Sequence, residues 1–392
     1  MKKAVSSYPI IVECSFHIGE LYFMLPFLHT IAADRPIACL LFTSRKVYLQ
    51  YRQDRLLRKA VQDATIATKC LFWALFPYTK SHNPVFIILR ILDSIYRHFL
   101  HIEDRIVQLL RGSQYCLVQI GGGQLDKIAA QQNIDCTCVI KFPHTSGPSL
   151  FDLSKAKKRT YIRRGGPNDI LLVLDPASVP YYQLTGIGNF LPIGYHSLSD
   201  RWMTLVRSLV TFDTDYALVF SYEARNDVLP LAKWEMLHAT TYEAIRRVFP
   251  EILIVVKPHP NQDVAHLRHF ARKQKWTGVT ISIDNPMLLS AGARFAVGFL
   301  TSGIYNSLLF DVPSVNYFNA KEEYVRARGE YIQNYEKLGV PDVETEEGLM
   351  ECLRRIHRGQ LIPRFAELLK RVETINSFEE FEKHVSSLRD AK

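Results

Sequence analysis

No stretch of about eighteen uninterrupted apolar residues occurs in this sequence, so no helix is expected to cross a membrane. The opening Met1-Lys2-Lys3 and the apolar residues behind it have the outline of a secretory leader, but Glu13, His17 and Glu20 break the apolar region and exclude that reading. Cysteine is sparse: the seven thiols, Cys14, Cys39, Cys70, Cys116, Cys136, Cys138 and Cys352, are odd in number and lie mostly in apolar, strand-like runs. Only Cys136 and Cys138 are close, and their C-x-C spacing puts both on one face of a strand. The pattern reads as buried thiols in a reducing compartment, not as a disulfide framework. Internal repeats and low-complexity tracts are missing. So is a dinucleotide fingerprint, because Gly121-Gly122-Gly123 continues as Gln124-Leu125-Asp126 without the G-x-G-x-x-G spacing. Basic residues are scattered rather than striped and no RNA- or DNA-binding motif occurs, so nucleic acid is not expected as a partner. Asp213-Thr214-Asp215 has the spacing of a D-x-D metal motif, but it sits in a connector before a strand and reads as a solvated turn. No metal site is expected.

What is present fits an α/β protein of two domains. The 392 residues exceed one typical core and suit two of ordinary size. Apolar residues at 47% and charged residues at 22% give a globular rather than a disordered balance. A formal net charge of +9 favours an anionic partner, be it nucleic acid, an acidic membrane or a phosphorylated substrate, and composition does not choose among them. Short β-branched runs alternate with helical patterns, which predicts parallel sheets flanked by helices. Strands are expected near Ile10–Cys14, Ile37–Thr43, Tyr115–Ile120, Cys136–Phe142 and Ile170–Leu174, and again near Ala217–Ser221, Ile252–Val256, Val279–Ile283, Phe295–Phe299 and Ser314–Tyr317. The segment from Gly194 to Asp215 carries no such run, giving a first domain over 1–195, a second over 210–340 and a charged helical tail over 344–392. One region breaks the alternation: Leu71, Phe72, Trp73, Leu75 and Phe76 precede a helical pattern carrying Phe86, Leu89, Leu92, Ile95, Tyr96 and Phe99 beside Arg90, Arg97 and His98. Such a basic aromatic insertion over 70–110 either lies in the interface of an anionic membrane or packs as ordinary core.

Chemistry concentrates in two loops of the second half. Lys257-Pro258-His259-Pro260 directly follows the strand Ile252–Val256, and ligands of open α/β sheets bind beyond the carboxyl ends of strands. The prolines fix the backbone, His259 can donate to a phosphate oxygen, and Lys257 adds positive charge. The next such loop, after Phe295–Phe299, is Thr301-Ser302-Gly303 leading into Ile304-Tyr305-Asn306. Its hydroxyls, with the free N–H groups of a starting helix, form an anion site, while Gly303 permits close approach of a ligand. Taken singly, Thr301 and Ser302 read as helix caps; together with the His-Pro loop they read as a phosphate-holding pair. Arg225 follows the strand Ala217–Ser221 and can clamp phosphate or a sugar carboxylate, while Glu223 or Asn226 can bind donor hydroxyls; the alternative is a plain surface loop.

A His-Pro motif followed by a Ser/Thr motif at a helix start resembles the nucleotide site of bacterial GT-B transferases that use CMP-activated sugars, the sialyltransferases and the transferases of 3-deoxy-manno-octulosonic acid (Kdo), and of CDP-glycerol glycerophosphotransferases. The resemblance covers Ala217 to Phe318 best. It implies two Rossmann-like domains facing across a cleft with C-terminal helices, and a donor phosphate bound by His259, Thr301 and Ser302. The neighbours Lys257, Pro260, Gly303, Asn306 and Arg225 join that site. His17-Ile18-Gly19-Glu20, with Pro26 beyond, is similar to the segment that opens the lipid A Kdo transferases, which implies Glu20 as the general base, although His17 stands where the family has serine. A carboxylate there can take the proton from an acceptor hydroxyl; a first-turn glutamate is also what a helix dipole favours.

Asp126, behind the glycine triplet, is the second candidate base. Phe142-Pro143-His144-Thr145-Ser146-Gly147-Pro148 loosely matches the W-H-G-T-P-like loop of the glycerophosphotransferases, without the tryptophan and with Thr145 where glycine should follow, and makes His144 catalytic in that alternative. The resemblance therefore implies transfer of a CMP-linked keto-acid sugar, Kdo ahead of a sialic-type sugar, onto a surface polysaccharide or lipid-linked glycan. The alternatives are CDP-glycerol or CDP-ribitol phosphotransfer and a sugar-nucleotide epimerase. No cofactor beyond the donor is expected, and the protein is expected in the cytoplasm at the inner face of an anionic membrane.

Overall fold

In the computed structural model the described residues are 8–15, 18–32, 36–74, 94, 96–97, 100–119, 125, 128, 131–132, 138–142, 169–183, 186–210, 212, 214–225, 227–260, 262–328, 335–363 and 374–390. They form two compact units, one within Met1–Ser146, Tyr161–Trp202 and Glu373–Lys392, the other within Met203–Val372.

The first unit is built on strands β1 (Ile10–Cys14), β2 (Ala38–Ser44), β3 (Ala67–Ala74), β4 (Tyr115–Gln119), β5 (Cys138–Phe142), β6 (Ile170–Val173) and β7 (Asn189–Pro192). They pair in the order β3-β2-β1-β4-β5-β6-β7, all parallel. The second unit holds β8 (Tyr216–Phe220), β9 (Leu253–Lys257), β10 (Val279–Ile281), β11 (Ala293–Gly298), β12 (Ser314–Tyr317) and β13 (Asp342–Val343) in the order β10-β9-β8-β11-β12-β13, again parallel. Each order runs 3-2-1-4-5-6 in its own numbering, with a seventh strand added at the edge of the first, the doubly wound Rossmann arrangement. Central strands β1, β6, β8 and β12 are buried along their whole length, as a parallel sheet covered on both faces requires.

Three strands depart from the sequence reading. Ala67–Ala74 is the edge strand β3, where the pattern suggested the start of a helical insertion; exposed Thr68 and Cys70 alternate with half-buried Ala67 and Lys69, as on a half-covered edge. The short edges β7 and β13 carry Pro192 and Asp342, residues of low strand propensity, and were not expected at all. Where the 70–110 region is described, it packs inward: Leu71, Ile102, Ile106, Leu109 and Leu110 share a core cluster with Cys39 and Cys116, and Tyr96 and Leu100 lean on it. Residues 75–93, 95 and 98–99, with most of the aromatic and basic side chains, lie outside the described residues. Cys70 is exposed, contrary to the expectation of a buried thiol; Cys14, Cys39, Cys116 and Cys352 are buried, and Cys136 lies outside the described residues. No helix among the described residues is long and apolar enough to cross a membrane.

The C-terminal segment divides between the units. The helix Glu346–His357 falls within the second, whereas Phe378–Asp390 returns to the first, where Phe381 packs edge-on against Phe27 and Tyr115 at 5.6 and 5.2 Å.

In the second unit the helix Leu231–Val248 buries Trp234, Leu237, His238, Thr241, Ala244 and Ile245, the 3–4 spacing of one face. Thr241 is the misfit: it is 1% exposed, its hydroxyl has no hydrogen-bond partner, and it borders a small apolar cavity with Val219, Ile254 and Val256. Thr241→Val keeps the shape and removes the orphaned hydroxyl. It should stabilise the unit by about 1 kcal/mol, a rise of a few degrees in Tm by calorimetry; an unchanged or lower Tm would show that the hydroxyl is satisfied.

Candidate functional site

Strand register brings the loops of the second unit together. Lys257 pairs with Phe220, Phe220 with Gly298, and Gly298 with Asn316, so β9, β8, β11 and β12 end in one row. The row straddles the β8/β11 switch point, where consecutive crossovers leave to opposite sides and open a crevice. At roughly 4.8 Å between strands, the loops starting at Pro258, Ser221 and Phe299 emerge side by side.

The loop after β9 is held from within. The backbone N–H of His259 donates to Gln262 Oε1 at 3.1 Å, and Gln262 N–H returns to His259 O at 2.9 Å. The half-buried His259 ring lies 5.5 Å from the Tyr222 ring of the neighbouring loop. Burial, then the charges of Lys257 and Arg225, push its pKa down to about 4. At neutral pH it is therefore an uncharged imidazole with one N–H to donate, flanked by two cations that disfavour a third positive charge and favour an anion. Lys257 Nζ lies 3.5 Å from the carbonyls of Pro258 and Ile283. Pro260 is exposed at the loop's end. The helix that follows, Val264–Lys273, is not an anion site, because the Asp263 carboxylate already accepts from Ala265 N and His266 N at 2.8 and 3.2 Å.

The loop after β8 is fixed by the helix Leu231–Val248. Trp234 Nε1 donates to Tyr222 O at 2.8 Å. His238 Nδ1 lies 2.8 Å from Trp234 O and can only donate to it, which leaves Nε2 to accept from Ser221 Oγ at 2.8 Å. Arg225 is tied into its own turn by Asp227 at 3.2 Å and Glu223 at 3.7 Å, so its charge is partly neutralised where the sequence suggested an open phosphate clamp.

The loop after β11 turns sharply. Leu300 adopts φ +52°, a left-handed conformation that costs a non-glycine residue about 1–2 kcal/mol. Its N–H donates to Asn316 Oδ1 at 2.8 Å. The hydroxyl that caps the short helix Gly303–Leu308 belongs to Thr301, which accepts Gly303 N–H at 3.1 Å; Ser302 makes no capping bond and is exposed. The capping reading of the two hydroxyls thus applies to Thr301 alone. Gly303 lies against the Phe220 ring, and Asn306 Nδ2 folds back to Gly303 O at 3.4 Å.

In the first unit Glu20 stands in the opening turn of the helix Gly19–Ile31, behind β1. Asp126 and His144 lie outside the described residues, as do His17, Asp213 and Asn226. Asp215 is 76% exposed and 3.9 Å from Arg294, as a solvated turn would be. Sequence reasoning missed Glu13, which is 1% exposed inside β1 and accepts Thr43 Oγ1 and the backbone N–H of Leu125, both at 3.1 Å. It missed Ser221, His238 and Asn316 as well; a polar residue inside a buried strand, as in Ser314-Val315-Asn316-Tyr317, was the available signal.

No family model matches the chain, and no curated protein matches it in sequence. In structure it is similar to S. aureus MnaA solved with UDP (TM-score 0.54, 11% identity, 96% of this chain and 95% of that one). It is similar too to the UDP-GlcNAc 2-epimerase of Methanocaldococcus jannaschii (0.52, 10%, 96% and 99%) and to a ugt transferase from Siraitia grosvenorii in complex with UDP (0.51, 11%, 97% and 99%). At these identities the likeness is one of fold: two Rossmann-like units along nearly the whole chain.

Proposed function

We propose that the second unit binds the phosphate of a nucleotide-activated sugar and that the protein is a glycosyltransferase. The observation that carries this reading is the row of four strand ends at the switch point, which brings a neutral imidazole donor, Lys257 and the Thr301-Ser302-Gly303 turn to the same edge of one sheet. The motif resemblance supports a CMP-linked keto-acid sugar as donor, whereas the structural neighbours solved with UDP favour a uridine nucleotide. The phosphate contacts serve either. The acceptor in this reading is a glycan or lipid-linked glycan at an anionic membrane, with Glu20 as base and Asp126 and His144 as the alternatives.

Binding is tested by a thermal-shift screen of CMP, CDP, UMP, UDP and GDP, since a ligand of the folded state alone raises Tm by mass action. His259→Ala should lower affinity for the nucleotide that scores by about 10- to 150-fold, the value of a hydrogen bond to a charged acceptor of about 1.5–3 kcal/mol. Undiminished affinity in that variant removes His259 from the site. Because one structural neighbour is a 2-epimerase, the donor is also incubated without acceptor: epimerised nucleotide sugar in that arm would replace transfer by epimerisation.

A further inference from the structure

We infer that Asn316, which lies outside the donor crevice, is the positioning residue that sets the Leu300–Gly303 turn and through it the grip on donor phosphate. The inference rests on the nucleotide-sugar reading of the site.

Asn316 is 0% exposed and lies in β12 between β11 and β13, paired with Gly298 on one side and Asp342 on the other. Both ends of its amide are bonded. Oδ1 accepts Leu300 N–H at 2.8 Å, and Nδ2 donates to Asp342 Oδ1 at 2.7 Å. The amide cannot be flipped: Leu300 N–H can only donate and the Asp342 carboxylate can only accept. Asp342 is held in turn by Lys321 Nζ at 3.1 Å, which also meets Glu344 at 3.1 Å. A chain of directed bonds therefore runs from the edge strand and the start of the helix Lys321–Arg328 to the one N–H that the left-handed Leu300 turns inward.

That N–H is the hinge of the site. Leu300 is a buried, non-glycine residue at positive φ, a conformation kept only where the surroundings over-determine it. Thr301, Ser302 and Gly303 follow immediately, and Tyr335 Oη adds a long bond of 3.4 Å to Thr301 O. Without the Asn316 acceptor, the Leu300 N–H is left unmet in the interior and the turn relaxes toward ordinary φ, which moves the Thr301 and Ser302 hydroxyls that the proposed function assigns to the phosphate.

The test compares wild type, Asn316→Ala and Asn316→Asp by calorimetric titration with the nucleotide found to bind, at pH 8 and pH 5.5. Asn316→Ala should bind at least tenfold more weakly than wild type at both. In Asn316→Asp the new carboxyl keeps the acceptor for Leu300 but faces the carboxylate of Asp342, with Glu344, Lys321 and Tyr335 the titratable groups around that carboxylate among the described residues. Two carboxylates at that distance share a proton once pH falls, and the shared proton rebuilds the Asn316–Asp342 bond. Affinity relative to wild type should therefore be at least tenfold down at pH 8 and within threefold at pH 5.5. Hydrogen exchange at the Leu300 amide, read without nucleotide, should be faster in Asn316→Ala.

Unchanged affinity in Asn316→Ala, a relative affinity of Asn316→Asp that does not depend on pH, or unchanged Leu300 exchange would each overturn the inference. If wild type binds none of the nucleotides, the donor-site reading fails instead, and Leu300 exchange still decides whether Asn316 sets the turn.

Discussion

Lowering the pH from 7 to 5 should destabilise this protein by about 6 kcal/mol through three histidines alone. His29, His196 and His238 are 1%, 3% and 2% exposed, and burial is the largest cause that pushes each pKa down from 6.5 to about 4. A depressed histidine pKa means that the unfolded chain binds the proton that the folded chain refuses. Stability is therefore full above pH 6.5 and is lost as pH falls from 6.5 toward 4. At pH 5 the linkage amounts to about 2 kcal/mol for each histidine, against a total of about 5–15 kcal/mol for a typical domain.

His29 is the sharpest case. Both its ring nitrogens are buried without a hydrogen-bond partner, and Trp202 packs edge-on at 5.5 Å. The charge of Arg201 lowers its pKa further, and Asp63 opposes it weakly. His29→Phe keeps an aromatic ring beside Trp202 and removes the titration. The variant should match or exceed wild-type stability at pH 7 and lose about 2 kcal/mol less between pH 7 and pH 5. Urea unfolding at a series of pH values measures both, and parallel pH profiles for the two proteins would rule out His29 as a source of acid sensitivity.

Gly303→Ala should damage the candidate site through a single methyl. A Cβ at Gly303 would lie 2.6, 2.9 and 3.0 Å from three atoms of the Phe220 ring. That ring is buried at the end of β8 in the core cluster of the second unit and has nowhere to retreat. Overpacking of this kind costs about 1–3 kcal/mol. Relief comes most easily by moving the Thr301-Ser302-Gly303 turn away from β8, so nucleotide affinity should fall at least tenfold. Gly359→Ala is the control. Gly359 has φ +68° with nothing within 4 Å of a built Cβ, so the change should cost about 1 kcal/mol of stability from backbone strain and leave affinity unchanged. Equal affinities for the two variants would show that Gly303 matters to folding only.

The parts of the site legible in the sequence are those where chemistry and chain position coincide. His259 and Lys257 could be found because a Pro-bracketed His follows a buried β-branched run. Thr301 to Gly303 stood out because hydroxyls and a glycine meet where a strand gives way to a helix. Less legible was which hydroxyl caps, since that depends on the left-handed turn at Leu300, and nothing in Phe299-Leu300-Thr301 signals a positive φ. Arg225 was read as an open clamp because Asp227, two residues on, was not seen as its partner. The edge strands β3, β7 and β13 escaped because an edge buries only part of its length and tolerates Lys69, Pro192 and Asp342.

The sequence by itself determined that two parallel α/β sheets would form, because β-branched runs buried on both faces alternate with amphipathic helices along the chain, and that is a local property. Only the tertiary structure decided that β9, β8, β11 and β12 end in one row, because strand neighbours are chosen by pairing between residues far apart in sequence. The same non-local pairing turned Asn316, Glu13 and His238 from oddities inside buried segments into the groups that hold loops in place. A buried polar side chain announces a cost in the sequence, and only the fold shows which donor or acceptor offsets it.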